Sequence, residues 1–456
     1  MTRVFSTNPA TGAIIAEHAL LTGAAIDAAL EHAWVGWTAW RERPVAHRAD
    51  RLRTLAQLLR ARAEALAALI VAEMGKPIVQ ARGEVEKCAG LCDWYAANGA
   101  AMLADEVLPV EDDGVAMLVW QPIGPVFAVM PWNFPLWQVL RAAVPILLAG
   151  NGFVLKHADN VLGCAAALAE AIDAAGIDAG AFTHLPVAQD DIAAVIADRR
   201  VAAVTVTAGV AAGAAIAAEA GRHLKKSVLE LGGIDPFVVL ADADVEAAAQ
   251  AAVRSRFLNT GQVCIAAKRL IVEASVLDAF TARVVELTAA LVVGDPADES
   301  TFIGPLARAR GRDELHRHVQ SSIAAGARLL LGGAALPGPG HYYAPTVLAD
   351  VTTAMAAGCE ELFGPVAAIL RANDADHAIS LANATDYGLS AALWSSDRAR
   401  ADRLARRIRA GAVFVNGISA SDPRVPIGGV GKSGYGRELS TFGPREFANA
   451  KLIWTR

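Results

Sequence analysis

The sequence lacks the features that mark membrane, nucleic-acid-binding and disordered proteins. No apolar run reaches the ~18 residues that a membrane-spanning helix needs. Lysine and arginine total 41 against 47 acidic residues, which gives a net charge of -6, and no basic run interrupts this balance. We therefore expect no membrane insertion and no nucleic-acid partner. Charged residues make up 19% and hydrophobic residues 54% of the chain, a composition that excludes disorder.

Cysteine is also scarce, with five residues in 456, an odd number. This usage is typical of a reduced cytoplasmic enzyme and excludes a disulfide scaffold. The opening MTRVFSTNPATG has no apolar core, so we expect no secretory signal. Cys88 and Cys92 lie four apart on a predicted helix. A zinc pair there would need a second Cys/His pair at ligand spacing, and none follows, so we interpret both as core residues and predict no metal site.

The order of apolar and turn segments predicts the fold class. Helical spacing of Ala, Leu and Arg runs from about Ala24 to Asn98, and short apolar strands then alternate with helices up to Gly233. The alternation restarts at Pro236. Strands alternating with helices predict an α/β protein with doubly wound parallel sheets, and the length suits two or three domains.

One glycine-rich stretch imitates a nucleotide-binding motif. Gly429 to Gly434 reads GVGKSG, which fits G-x-G-x-x-G. The dinucleotide fingerprint needs a strand directly before it, a helix opening from it and an acid about 20 residues later. The preceding predicted strand ends about ten residues earlier, so we interpret the stretch as an ordered loop.

Three residue types suited to acyl chemistry stand on separate α/β units. In NTGQVCIAAKR, Cys264 alone would most often be a buried filler, because a thiol needs a lowered pKa to react efficiently. In PWNFPLW, Asn133 is either a turn residue or a rigidly held oxyanion donor. In ELGG, Glu230 is either a structural carboxylate or a base that activates water after burial raises its pKa.

The combination of motifs decides between these alternatives. PWNFP, LKHAD, VLELGG, NTGQVC, GDPADESTFIGPL, EELFGPV and SGYGRE occur in one order over nearly the whole chain. With them the sequence strongly resembles the aldehyde dehydrogenase superfamily, and MPWNFPLWQVLR and NTGQVCIAAKR look most like its short bacterial succinate-semialdehyde dehydrogenase branch. The resemblance implies that Cys264 is the nucleophile, that Glu230 is the base for water, and that Asn133 with the Cys264 N–H binds the oxyanion.

The resemblance also implies a nicotinamide cofactor and its contacts. The implied cofactor residues are Trp132, Lys156, Asp159, Gly209, Gly213, Leu231, Glu361 and Phe363. An acid at position 159 would accept from the adenosine ribose hydroxyls and repel a 2′-phosphate, so we predict NAD over NADP, with NADP possible. The family's FTGS turn reads VTAG here, with Ala208 for glycine and Gly209 for serine, which is expected to weaken cofactor binding.

The implied substrate is an aldehyde with a distal carboxylate, above all succinate semialdehyde. The residues assigned to it are Arg141, Trp137, Gln138 and Ser421. A further arginine of some relatives is replaced by Leu258, and the family's PFGG reads PIGG, so Ile427 is expected to reshape a wall near the site. Another semialdehyde or a broad range of aldehydes is the alternative.

The implied architecture has three parts. They are a Rossmann-type cofactor domain over 1–107 and 122–233, an α/β catalytic domain over 234–430, and a β extension over 108–121 and 443–456. Such extensions pair between subunits in this superfamily, so a homodimer or homotetramer is expected. Two rivals from other classes are a Cys-His hydrolase, which would leave Lys156, Asp159 and EELFGPV unexplained, and a non-enzymatic scaffold.

Overall fold

The computed structural model describes residues 3–111 and 114–456 as strands and helices in alternation. The strands are β1 (Arg3–Thr7), β2 (Ile14–Ala19), β3 (Glu106–Leu108), β4 (Val115–Pro122), β5 (Pro125–Met130), β6 (Gly152–His157), β7 (Phe182–His184), β8 (Ala203–Thr207), β9 (Lys226–Glu230), β10 (Pro236–Val239), β11 (Arg269–Glu273), β12 (Arg328–Leu331), β13 (Thr346–Ala349), β14 (Val366–Ala372), β15 (Ser390–Trp394), β16 (Ala412–Val415), β17 (Gly434–Tyr435) and β18 (Ala448–Thr455).

The helices connect these strands and cover the sheets. They are α1 (Ala24–Trp40), α2 (Val45–Ala61), α3 (Ala63–Met74), α4 (Ile78–Met102), α5 (Trp137–Leu148), α6 (Leu162–Ala174), α7 (Ile192–Ala197), α8 (Val210–Arg222), α9 (Val245–Phe257), α10 (Leu277–Ala289), α11 (Ala309–Ala324), α12 (Ala356–Cys359), α13 (Ala375–Asn383), α14 (Arg398–Ala405) and α15 (Phe442–Glu446). No helix of the described ranges is both long and apolar enough to cross a membrane.

The first large sheet has the strand order β17-β9-β8-β5-β6-β7, parallel except for β17. Every residue of β6 is buried, as expected for a parallel strand covered on both faces. All twelve residues of α5 are buried too, so this helix lies in the core and not at the surface. The turns after β5, β8 and β9 therefore meet at one edge of the sheet, the carboxyl edge, where doubly wound folds bind ligands.

The second large sheet has the order β12-β13-β14-β11-β10-β15-β16, parallel except for β12. The α/β class predicted from the alternation is confirmed. The strands of the first sheet lie within the range predicted for the cofactor domain, except β17, which comes from the glycine-rich stretch near the end of the chain. The strands of the second sheet lie within 234–430. The division into domains stays a prediction.

A third sheet, of order β18-β4-β3, is antiparallel. Its strands overlap the segments predicted as an extension, 108–121 and 443–456, although β3 begins at Glu106, β4 ends at Pro122 and α15 occupies Phe442–Glu446. Residues 112 and 113 lie outside the described range. Apolar side chains are exposed along this sheet: Val107 at 74%, Leu452 at 52% and Trp454 at 48%. Such an uncovered apolar strand pair is typical of a surface that another chain covers.

Candidate active site

The loop that carries Cys264 is held in a conformation that few residues adopt. Between α9 and Cys264, Asn259, Thr260 and Gly261 all have positive φ, at 53°, 55° and 73°. A side chain on Gly261 would lie 2.3 Å from the carbonyl oxygen of Gly364, so only glycine fits there. The buried guanidinium of Arg256 donates to the carbonyl of Gly261 at 3.1 Å and fixes the turn. The loop is thus rigid where the thiol emerges.

Asn133, which follows β5 of the first sheet, is tied to this loop, which precedes β11 of the second. Its Nδ2 donates to the carbonyl of Gln262 at 3.0 Å, and Asn259 Nδ2 donates to the carbonyl of Asn133 at 2.7 Å. An amide NH2 has two protons, so one remains to donate to a bound oxyanion. No backbone acceptor is recorded for the Cys264 N–H among the described residues. The arrangement therefore offers two donors beside the thiol.

A buried ion pair positions the PWNFPLW segment. Glu84 Oε1 accepts from the N–H groups of Leu136 and Trp137 at 2.9 and 3.0 Å, and its Oε2 pairs with Lys76. Both charged side chains are fully buried. The first N–H groups of α5 are thereby satisfied by a carboxylate, which also suits the helix dipole. Sequence reasoning missed this pair, because both residues lie on the predicted helical region far from the motif.

Glu230 ends β9 and is buried with two other charged groups. Arg141 Nη2 lies 3.7 Å from Glu230 Oε2, and Arg141 Nε lies 2.5 Å from Glu438 Oε2. Burial raises the pKa of Glu230 to about 8, while the nearby Arg141 acts to lower it. Within residues 3–111 and 114–456, Glu230 Oε1 has no hydrogen-bond partner, so this oxygen can accept from water. A carboxyl with a pKa near 8 is suited to general base catalysis.

The glycine-rich stretch near the end of the chain supports this carboxylate. Gly434 pairs with Glu230 in antiparallel register, and Ser433 O accepts from the N–H of Leu231 at 3.1 Å. Gly434 has a φ of 107°, and a side chain there would lie 2.0 Å from the carbonyl of Leu229. Lys432 pairs with Asp386 at 2.7 Å. The stretch is an ordered loop, as interpreted, and its glycines allow close packing against β9.

Cys264 lies where two cavities meet. A cavity of about 910 Å³ is bordered by Cys264, Arg141 and Ser421, and a second of about 210 Å³ by Cys264, Asn133 and Phe363. Gln138 borders both. Burial raises the pKa of the Cys264 thiol to about 11, against the lowering effects of Arg141 and Lys268. One cavity can hold a substrate and the other a second reactant, with the sulfur between them.

The smaller cavity brings together most of the predicted cofactor residues. Trp132, Gly209, Leu231, Glu361 and Phe363 all border it. The Trp132 and Phe363 rings contact edge to face at 5.8 Å. Glu361 Oε1 accepts from the N–H of Gly233 at 3.3 Å and pairs with Lys268 at 3.0 Å. The cavity thus offers apolar faces to a flat ring and one carboxylate to a ribose hydroxyl.

Gly213, Lys156 and Asp159 lie outside that cavity wall. Gly213 leaves space for Leu231, whose Cδ2 would lie 2.3 Å from a side chain at position 213. Lys156 Nζ donates to Asp159 Oδ1 at 2.6 Å just beyond β6. Lys156 therefore lies near the end of β6, the strand next to β5, and Asp159 follows that strand on the same carboxyl edge of the first sheet.

The residues that depart from the family's motifs, Ala208, Gly209 and Ile427, lie in surroundings that differ from one another. Ala208 borders the smaller cavity, and a side chain on Gly209 would contact nothing within 4 Å. Ile427 was expected to reshape a wall of the site. Instead its side chain packs in the core, and its backbone pairs with that of Glu438 at 2.9 and 3.0 Å. Ile427 borders neither cavity and is linked to the site through its backbone pairing with Glu438.

The comparisons with known proteins agree with this geometry. The aldehyde dehydrogenase family model matches residues 2–453. The chain belongs to the aldehyde dehydrogenase family. The predicted aldehyde dehydrogenase-like α/β fold is confirmed with it, since the crystal structure of succinic semialdehyde dehydrogenase from Streptococcus pyogenes in complex with NADP+ superposes with a TM-score of 0.96 at 36% identity over 99% of each chain.

Two relatives in this aldehyde dehydrogenase family are similar over their whole length. Succinate semialdehyde dehydrogenase Sad of Escherichia coli, named for NAD(P)+, is 53% identical over 99% of this chain and 98% of its own. Succinate-semialdehyde dehydrogenase 1 of Mycobacterium ulcerans, named for NADP+, is 46% identical over 99% of both. The Cys-His hydrolase alternative loses support, because no histidine borders either of the two cavities that Cys264 shares.

The structure also places residues at the site that sequence reasoning did not assign. Glu438, in the quoted SGYGRE motif, contacts Arg141, and Lys268, in NTGQVCIAAKR, donates to the carbonyl of Cys264 at 2.6 Å. Lys87 borders the larger cavity. Its sequence context, a lysine on a long helix, is that of an ordinary surface residue. Within the described ranges no group of three or more His, Cys, Asp or Glu side chains is arranged to hold a metal ion.

Proposed function

We propose that this NAD(P)-dependent aldehyde dehydrogenase oxidises succinate semialdehyde to succinate. The observation that carries the proposal is the position of Cys264 between a small cavity with cofactor-type residues and a large cavity with cationic residues. The large cavity suits an aldehyde that bears a distal carboxylate, because anions bind where buried cations and hydroxyls converge. The names of the Escherichia coli and Mycobacterium ulcerans relatives support the same substrate.

The chain's own groups account for the covalent steps. The Cys264 sulfur adds to the aldehyde carbon, and the oxygen that becomes negative is stabilised by Asn133 Nδ2 and the Cys264 N–H. When bound, an oxidised nicotinamide would supply the acceptor for the hydride of this carbon. The product of that hydride loss is a thioester on Cys264. Glu230 then takes a proton from water, the hydroxide oxygen attacks the thioester, and the acid and the free thiol are released.

The smaller cavity and its surroundings fit a dinucleotide. Helix α8 begins directly after Gly209, and no side chain caps its first N–H groups. Uncapped N–H groups at a helix N-terminus bind phosphate oxygens well. The carboxylate of Glu361 and the ring of Phe363 border the same cavity as Gly209 and Cys264. The pyrophosphate would be bound at α8, and the nicotinamide would lie beside Phe363.

The choice between NAD and NADP depends on the charges after β6. Asp159 is half-exposed and pairs with Lys156, and Arg308 lies close by and donates to Asn160 Oδ1. The Asp159 carboxylate accepts from ribose hydroxyls and repels a 2′-phosphate, whereas the two cations attract one. Both cofactors are accepted, and Asp159 gives NAD the advantage.

Replacing Asp159 with serine should therefore shift selectivity toward NADP. The substitution removes the negative charge and frees Lys156 for a phosphate, so kcat/KM for NADP should rise about tenfold, which is about 1.4 kcal/mol. The measurement is the ratio of kcat/KM for the two cofactors at saturating aldehyde. Asp173→Ser, on the exposed side of α6, is the matched control. An unchanged ratio in Asp159→Ser would show that Asp159 does not set the selectivity.

The cellular compartment and the oligomeric state are inferred from features outside the active site. None of the five cysteines forms a disulfide, which suits the reducing cytoplasm. The exposed apolar side chains of β3 and β18 suit pairing with another copy of this chain. We infer a cytoplasmic homodimer or homotetramer.

The substrate is tested by comparing aldehydes that differ in the distal group. Formation of reduced nicotinamide is measured with succinate semialdehyde, with butanal of the same carbon count, and with longer neutral aldehydes. Succinate semialdehyde should have the highest kcat/KM by at least about tenfold, because a charge-assisted hydrogen bond contributes roughly 1.5–3 kcal/mol. Equal values for butanal would contradict the substrate while leaving aldehyde oxidation intact.

A further inference from the structure

Three cationic side chains from the interior border the larger cavity, and two of them are already neutralised. Lys76 pairs with Glu84, and Arg141 pairs with Glu438 and lies near Glu230. The positive charge of Arg141 is thus shared between two carboxylates of the catalytic centre. Arg254 is exposed at the rim.

Lys87 is the third cation, and it differs from the other two. It projects from α4, and among residues 3–111 and 114–456 it forms no ion pair with a carboxylate. Its Nζ donates to Ser421 Oγ at 2.8 Å and lies 3.9 Å from the centroid of the Trp137 ring. The side chain is exposed to the cavity, although protein surrounds it on most sides. A cation that is accessible and held without a counter-ion is ready to receive an anion.

We propose that Lys87, together with Ser421, binds the distal carboxylate of the substrate, and that Arg141 chiefly sets the charge of the catalytic centre. This inference rests on the proposed succinate-semialdehyde activity. The resemblance assigned Arg141, Trp137, Gln138 and Ser421 to the substrate; the inference keeps Ser421, adds Lys87 and gives Lys87 the carboxylate contact expected of Arg141.

The donor geometry at Lys87 suits a carboxylate. The ammonium group has three protons, of which one is given to Ser421, so two remain for carboxylate oxygens. Ser421 accepts from Lys87, and its own hydroxyl proton is free to donate to the same carboxylate. The Trp137 face holds the ammonium in place by cation–π attraction. Leu258 and Phe134 on the cavity wall provide apolar contacts for the substrate's methylene groups.

The inference is tested by comparing the kinetic constants for the charged substrate with those for a neutral one. Lys87→Met should raise KM for succinate semialdehyde about 30-fold, since a charge-assisted contact is lost, with kcat little changed. KM and kcat for butanal should not change, which also shows that the variant is folded. Lys87→Arg keeps the charge and should retain most of the affinity. Arg317→Met, on an exposed face of α11 and outside both cavities, is the control and should behave like the wild type.

Arg141→Met gives the opposite pattern. It leaves Glu230 and Glu438 buried without their cation, so kcat should fall for succinate semialdehyde and butanal alike. A selective loss of succinate semialdehyde in Arg141→Met, with none in Lys87→Met, would overturn the inference. So would equal losses for both aldehydes in Lys87→Met. If the wild type itself does not prefer succinate semialdehyde to butanal, the proposed function fails, whatever Lys87 does.

The pH dependence gives a second readout that a merely structural lysine would not produce. Burial lowers the pKa of Lys87 to about 8; Arg141 and Lys76 lower it further, and Cys88 and Glu84 oppose this. Asp422 is the remaining nearby charge, and it is bound to Arg424. Lys87 is charged below pH 8, so KM for succinate semialdehyde relative to butanal should rise above that pH. In Lys87→Arg the ratio should stay flat, and a flat ratio in the wild type would contradict the inference.

Discussion

Replacing Cys264 with alanine should abolish aldehyde oxidation, lowering kcat/KM by at least about 10⁴-fold. The reason is that no other thiol can reach the substrate. Cys88, Cys92 and Cys164 are buried elsewhere, and Cys359 is exposed beyond both cavities. Reduced nicotinamide formation with succinate semialdehyde and butanal measures the loss, and binding of NAD by the same variant shows that the cofactor site persists. Cys359→Ala is the matched control and should keep full activity.

The protonation state of the Cys264 thiol gives a second test of the covalent mechanism. Burial raises the pKa of its thiol to about 11, so the group is protonated at neutral pH in the absence of ligands. Since the thiolate is the nucleophile, alkylation of Cys264 by iodoacetamide should accelerate about tenfold per pH unit between pH 7 and 10. Mass spectrometry of the Cys264 peptide measures this rate apart from Cys359. Full activity of Cys264→Ala would refute the covalent mechanism.

The sequence was sufficient for the parts of the site that lie within short motifs. Cys264, Glu230 and Asn133 each stand in a quoted stretch, and the alternation of strands and helices gives the two parallel sheets that bring these stretches to facing edges. Such short stretches contain both the reactive side chains and the residues that their backbone conformation requires. The left-handed turn at Asn259, Thr260 and Gly261 directly before the thiol is one example.

The partners of these residues could not be predicted in the same way. Lys87 and Ser421 are 334 residues apart in the chain, and no periodicity or spacing relates them. Arg141 was given a substrate role by the resemblance, but its contact with Glu438 depends on how β17 and the following segment fold back onto β9. Charge balance in a buried site is a property of the packed structure, so a sequence shows the charges without showing which of them are neutralised.

Removing the carboxylate of Glu230 should have the second large effect on turnover. Glu230→Gln should lower steady-state turnover by about 10²–10⁴-fold, because the amide cannot take a proton from water. Attack by Cys264 does not need that base in the same step, so the first turnover should survive. With p-nitrophenyl acetate, which acylates a thiol and releases a coloured alcohol, the variant should show a burst of one nitrophenol per chain followed by almost no turnover. Glu360→Gln, an exposed carboxylate, is the control.

The pH profile connects this variant to the structure. Burial raises the pKa of Glu230 to about 8, and only the deprotonated form acts as a base, so kcat of the wild type should rise with pH and level off above about 8. Glu230→Gln should lose this inflection. In Arg141→Met the nearby positive charge is gone, the carboxylate is harder to ionise, and the inflection should move to higher pH. A Glu230→Gln variant that keeps both the turnover and the inflection would assign the base to another group, such as Glu438, which contacts Arg141 as well.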